Sequence, residues 1–282
     1  MRKPSIISLA FLTVMLSAAL VADAQDAIQI YSLAADRPVS RESFANSLAA
    51  QRIVLVGERH DLARHHRGQL EVIKILVADG LPVTIGMEMM RSDSQASLDA
   101  WVAGTLDEDE FQTVYRDNWN FPWVLYRPIF IFARDHRIPM IGLNVARGIT
   151  RQVAREGFDS LSAAQRQGLP FVTCSVDDDY MTYIREAYGA HGHGNMNFEH
   201  FCEAQLIWDK AMAAKALQYL ANTPERLLVI LAGTGHARKG GIPRQIEVLG
   251  DLPYQVVLPG IPSVLEPGTV SSKDADFLLQ GL

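Results

Sequence analysis

Cysteine is scarce: the 282 residues hold two, Cys174 and Cys202. Neither stands in a CxxC or CxxCH pattern, so nothing supports a zinc ribbon, a thioredoxin-like redox centre or covalently attached haem. No cysteine lies near the start of the chain, where a lipid-anchored lipoprotein would carry its acceptor. Long basic runs are missing too, and the net charge is −6, which argues against a nucleic-acid binder. No short repeat period is present, so the chain is not a solenoid.

What remains is ordinary globular material, with 48% apolar residues, enough for a core of normal size. The first 24 residues stand apart. Arg2 and Lys3 precede an apolar run from Ile6 to Val21, and Ala22-Asp23-Ala24 is a small-x-small cleavage site. This reads as a secretory signal peptide; the alternative is an uncleaved membrane anchor, for which the apolar run is short. Loss of Arg2, Lys3 and Asp23 with the leader takes the charge from −6 to −7. In an exported chain the two cysteines form a disulfide or stand as two buried thiols, and spacing does not choose between these.

Two stretches organise the rest. Ile53-Val-Leu-Val-Gly-Glu-Arg-His60 and Leu227-Leu-Val-Ile-Leu-Ala-Gly-Thr-Gly-His236 are each an apolar run, then a glycine, then a histidine three residues on. Apolar runs of this length read as strands buried on both faces of a parallel sheet. Residues 62–78 carry apolar side chains at helical spacing, stopped at Gly80. Val83–Glu88 is the next strand, and Ile138–Leu143 another, with Asn144 at its end. Residues 91–136 show no strand and read as three helices rich in aromatic rings, a helical cap or insertion. Those rings either pack it onto the sheet or wall an apolar pocket. Helices follow at 146–156, 160–168 and 199–221, then a strand at 254–258. From Pro259 the tail reads as a surface drape. The pattern gives an α/β fold, a largely parallel sheet flanked by helices on both faces with a smaller helical cap. Residues 25–282 make one domain.

In such a fold ligands sit at the carboxyl ends of the strands. Glu58, His60, Glu88, Asn144 and His236 all stand at such ends. Histidine and carboxylate together suit a divalent metal such as zinc or manganese, or acid–base chemistry near neutral pH. A structural polar network uses the same groups. Arg64-His65-His66-Arg67 reads either as a solvated helix face or as a basic patch for an anionic group. Tyr180, Tyr183, Tyr188, His191 and His193 fall in the least regular segment, 170–198, and tyrosine is a known haem ligand.

Several of these residues carry a family resemblance. Gly57-Glu-x-His60 with His65-His66 close behind, Gly86-x-Glu88, Ala204-Gln-x-x-Trp-Asp209-x-x-Met212-Ala213, and Ala232-Gly-x-Gly-His236 followed by Gly241-Ile-Pro243 resemble the ChaN-like haem-binding uptake proteins of the Tiki superfamily. The likeness spans roughly residues 45–250. It implies an exported, iron-linked protein that binds haem non-covalently, through a tyrosine on each iron, with two haems stacked at a homodimer interface. Tyr180 and Tyr183 are the candidate ligands, and Arg64, His65 and His66 the candidate partners of the propionates. A haem transporter or outer-membrane receptor system is the implied partner. Family members are often lipoproteins, but this chain lacks the acceptor cysteine, so the implied location is periplasmic or secreted. The wider superfamily also resembles metal-dependent proteases and erythromycin esterase-type hydrolases. Carried onto this chain, their machinery would be Glu58, His60, Glu88 and His236, with His60, Glu88 and His236 on the metal.

Overall fold

The computed structural model describes residues 28–176, 178–190 and 197–282. The leader, His191 and His193 lie outside them.

Every residue of the strand Ile53–Glu58 is buried. Val54 and Val56 enter one core, Ile53 and Leu55 the other. Leu227–Gly233 divides the same way, Val229 and Leu231 against Leu228 and Ile230. A strand apolar on both faces has to be covered on both, and here it is. The chain runs β1 (Gln29–Ser32), β2 (Arg37–Val39), α1 (Arg41–Ala49), β3 (Ile53–Glu58), α2 (Ala63–Ala78), β4 (Val83–Arg91), α3 (Gln95–Ala103), α4 (Glu108–Asn118), α5 (Trp123–Asp135) and β5 (Met140–Asn144). It continues through α6 (Arg147–Glu156), α7 (Ala163–Arg166), α8 (Asp178–Ala190), α9 (Phe198–Asn222), β6 (Leu227–Gly233), α10 (Thr234–Ala237), α11 (Ile242–Leu249), β7 (Tyr254–Pro259) and β8 (Phe277–Gln280).

These strands form one sheet in the order β2-β1-β8-β7-β3-β6-β4-β5. The six from β8 to β5 are parallel, and β1 and β2 add an antiparallel edge. Helix α2, after β3, buries Val72, Ile73 and Leu76 in the core on one face, with Trp101, Tyr115, Tyr126 and Phe130 of α3 to α5. Helices α9 and α11 cover the other face with Met212, Ala216, Ile242 and Ile246. The neighbours β3 and β6 therefore send their next helices to opposite faces. That divergence opens a crevice at their carboxyl ends, the topological switch point of a doubly wound sheet.

Three readings change. The tail is not a drape: β8 pairs with β1 and β7, and Phe277, Leu278 and Leu279 are buried. Its apolar run is too short to announce a strand. Segment 170–198 is more regular than its composition suggests, because α8 puts Tyr180 and Tyr183 one turn apart in a small third core with Ile184 and Ile207. The run Arg64–Arg67 makes no single basic face. His65 and His66 turn inward and are buried, while Arg64 and Arg67 point outward. Cys174 and Cys202 form a disulfide that ties the segment before α8 to α9. Among the described residues no helix is long and apolar enough to cross a membrane.

Candidate functional site

At the end of β3, Glu58 has a fully buried side chain. Its Oε1 lies 2.6 Å from His60 Nδ1 and accepts the Tyr126 hydroxyl at 2.8 Å. His66, from α2, sets Nε2 2.6 Å from Oε2 at an angle outside hydrogen-bond geometry, with its ring 4.2 Å from that of Tyr126. Burial opposes charge on Glu58, but His60 and His66 outweigh it and hold the carboxyl down at about 2. Burial also works against a proton on His60. Glu58 and, through space, Glu88 overcome that and raise it above the ordinary histidine value.

The end of β6 repeats the pairing with a partner from elsewhere. His236, on the single turn of α10, places Nδ1 2.6 Å from Oδ1 of Asp209, which α9 buries completely. Asp209 Oδ2 accepts the Tyr180 hydroxyl at 3.0 Å. Burial disfavours the proton on His236. The facing carboxylates of Asp209 and Glu88 nevertheless raise it to about 9, while burial pushes Asp209 up as well. The pair thus keeps its proton well above neutrality.

Glu88 stands between the two histidines. Its Oε2 accepts the Gly233 N–H at 2.6 Å, and its Oε1 is 3.9 Å from His236 Nε2. Asn144 donates to the Glu88 carbonyl at 2.8 Å, and the Thr234 hydroxyl donates to the Glu58 carbonyl at 3.0 Å, which locks the strand ends together. Gly233 has to be glycine for a steric reason, because a Cβ there would stand 2.8 Å from the His60 ring.

Glu58, His60, Glu88, Asn144 and His236 therefore share one cleft, of about 790 Å³, within the usual range for small-molecule sites. The His60 ring meets Trp119 and Phe121 at centroid distances of 4.9 and 5.1 Å, and the His236 ring meets Trp208 at 5.5 Å. The aromatic residues of 91–136 thus divide: Trp101, Tyr115, Trp123 and Tyr126 pack the core, while Trp119 and Phe121 wall the cleft.

The two candidate tyrosines separate as well. Tyr180 is spent on Asp209. Tyr183 lines the cleft, and among the described residues its hydroxyl makes no hydrogen bond. That oxygen lies 3.4 Å from where a Cβ on Gly235 would be. Burial raises the phenol well above its ordinary value. Arg64, His65 and His66 do not line the cleft. His65 accepts the Arg59 N–H at 3.0 Å through Nδ1, and burial lowers its pKa to about 4, so it is neutral. Among the described residues no three histidine, cysteine or acidic side chains are placed to hold one metal ion. His60, Glu88 and His236, the alternative metal set, are not picked out as such a group. Sequence reasoning gave no site role to Asp209, quoted only within a motif, nor to Tyr126 or the cleft arginines. Asp209 had a signal, the Trp-Asp pair in a helix at otherwise apolar spacing.

The family described as haem-binding uptake, Tiki superfamily, ChaN matches residues 44–246. Among solved structures, one of cofacial haem binding to ChaN of Campylobacter jejuni is 19% identical over 89% of this chain and 96% of that one, with a TM-score of 0.70. An erythromycin esterase variant, EreC in its open conformation, is 13% identical over 89% of this chain and 82% of that one, at 0.50. Both are likenesses of fold. No curated protein matches the chain.

Proposed function

The chain belongs to the ChaN family of haem-binding uptake proteins in the Tiki superfamily, and from that premise we propose that it binds haem non-covalently in the cleft above β3 and β6. The observation that carries the reading is Tyr183: a phenol with no hydrogen bond among the described residues, facing a cleft walled by Trp119, Phe121 and Trp208. A flat apolar ligand is matched by aromatic walls. A ferric centre is matched by a phenolate oxygen not already engaged. Bound haem would supply the iron, and the chain supplies the oxygen ligand and a shielded slot. Tyr180 does not serve, since its hydroxyl helps hold Asp209. Titrating the purified chain, without residues 1–24, with hemin tests this. The reading predicts a shifted Soret band that saturates at stoichiometric hemin, and absence of that shift contradicts it.

Around this core the reading extends to an exported carrier or store in an iron-uptake system, one domain from residue 25 on. It works as a homodimer with a haem transporter or receptor system as partner. Mature protein beginning at Gln25 in the periplasm or medium is the expected outcome, and retention of residues 1–24 would count against it.

A second reading, ester or amide hydrolysis, is favoured by one specific arrangement. Each histidine has Nδ1 held by a carboxylate, and both rings line the same cleft with Glu88 between them. Such pairs serve as general base and general acid without a metal. Turnover of simple esters that His60→Ala abolishes would support it, and no turnover across neutral pH would remove it.

A further inference from the structure

Four arginines line the cleft, and they differ in what they already hold. Arg59 is 3.1 Å from the Asp61 carboxylate. Arg91 pairs with Asp93 at 3.0 Å and donates to the Asp117 carbonyl at 2.8 Å. Both are committed. Arg147 and Arg151 are one turn apart on α6. Among the described residues the Arg147 guanidinium has neither an ion pair nor a hydrogen bond, and only its carbonyl is used. Arg151 donates Nε to that carbonyl at 3.4 Å and has no acidic partner among the described residues. Like charges at this spacing on one helix repel mildly, so an anion lying across both relieves a standing cost. The cleft floor, by contrast, carries Glu58 and Glu88, with Asp209 buried behind His236.

We propose that Arg147 and Arg151 form the anion-binding end of the cleft and take the carboxylates of a flat, apolar dicarboxylate, which for haem are its propionates. This rests on the haem reading and replaces Arg64, His65 and His66 as the candidate propionate partners. The guanidinium fork matches a carboxylate in two parallel hydrogen bonds. The aromatic walls exclude a small inorganic anion as the natural occupant, since it would leave them unused. The acidic floor orients the ligand, turning its carboxylates toward α6 and its ring toward Trp119, Phe121 and Tyr183.

The test compares three probes, hemin, metal-free protoporphyrin and the dimethyl ester of that porphyrin, on the wild-type chain, Arg147→Ala/Arg151→Ala and Arg64→Ala/Arg67→Ala. The metal-free porphyrins remove iron ligation, so they read the arginines alone. Expected is a loss of about 10-fold per arginine, about 100-fold in the Arg147/Arg151 variant, for hemin and the free diacid. The diester should bind both chains equally, and the Arg64/Arg67 variant should match wild type. Equal affinity of the Arg147/Arg151 variant and wild type for the diacid overturns the assignment while leaving haem binding intact. An equal loss for the diester also overturns it, because the arginines then act through the fold rather than on carboxylates. Failure of the wild type to bind any probe defeats the haem reading itself, and this inference with it.

Discussion

The ends of β3 and β6 carry the same motif and build the same pair by different means. His60 takes its carboxylate from two residues back, Glu58 at the end of β3. His236 takes its carboxylate from α9, 27 residues back in sequence, Asp209. The local pair is reinforced from the sheet face by Tyr126 and His66, so Glu58 is pinned as an anion. The remote pair is reinforced from α8 by Tyr180, and burial rather than charge dominates Asp209. A strand-end motif thus fixes where a histidine stands, while packing decides its electrostatics. One pair is set to lose its stabilising charge in acid and the other in alkali.

The sharpest way to break the comparison is to remove each carboxylate. Glu58→Ala removes the carboxylate shared by His60, His66 and the Tyr126 hydroxyl and should cost about 4 kcal/mol. Asp209→Ala removes the carboxylate that His236 and the Tyr180 hydroxyl share and should cost about 3 kcal/mol. Urea unfolding measures both, and the reverse ranking would mean that the β3 end is not the more heavily braced one.

The pH dependence should split along the same line. Glu58 titrates at about 2 folded against 4.5 unfolded. Its contribution is complete above pH 4.5 and is lost as the pH falls through 2. His236 titrates at about 9 folded against 6.5 unfolded. Its contribution is complete below pH 6.5 and is lost as the pH rises through 9. Each limb is worth up to roughly 3 kcal/mol. Asp209→Ala should flatten the alkaline limb and spare the acid one, and Glu58→Ala should do the opposite. Unfolding curves from pH 2 to 10 in which either variant flattens both limbs would contradict the separation.

A smaller effect probes the contact between the two ends. Gly233→Ala puts a methyl group 2.8 Å from the His60 ring, which should cost about 1–2 kcal/mol as the ring is displaced from Glu58. NMR titration should then show His60 moving back toward an ordinary histidine value. An unchanged titration would mean that the ring gives way without leaving its partner.

Much of this was legible in the sequence. The apolar runs ending in Gly57 and Gly233, the helix read at 62–78 and the long helix read at 199–221 follow from periodicity alone, and the structure places them within one residue of those bounds. So does the convergence of Glu58, Glu88, Asn144, His60 and His236, because parallel strands place their ends together. Contacts that depend on side-chain direction were not legible. Nothing in Arg64-His-His-Arg67 says that both histidines turn inward. Nothing in a Tyr-x-x-Tyr spacing says that Tyr180 will meet Asp209 while Tyr183 reaches the cleft. Strand β8 was hidden by brevity, since Phe277-Leu-Leu-Gln280 has no period to read.

The central claim is that haem sits against Tyr183. It is tested most directly by adding hemin to Tyr183→Phe and Tyr180→Phe side by side and recording the phenolate-to-iron charge-transfer band. The account predicts that the band vanishes in Tyr183→Phe and persists in Tyr180→Phe. Persistence in Tyr183→Phe, or loss in Tyr180→Phe alone, would contradict it.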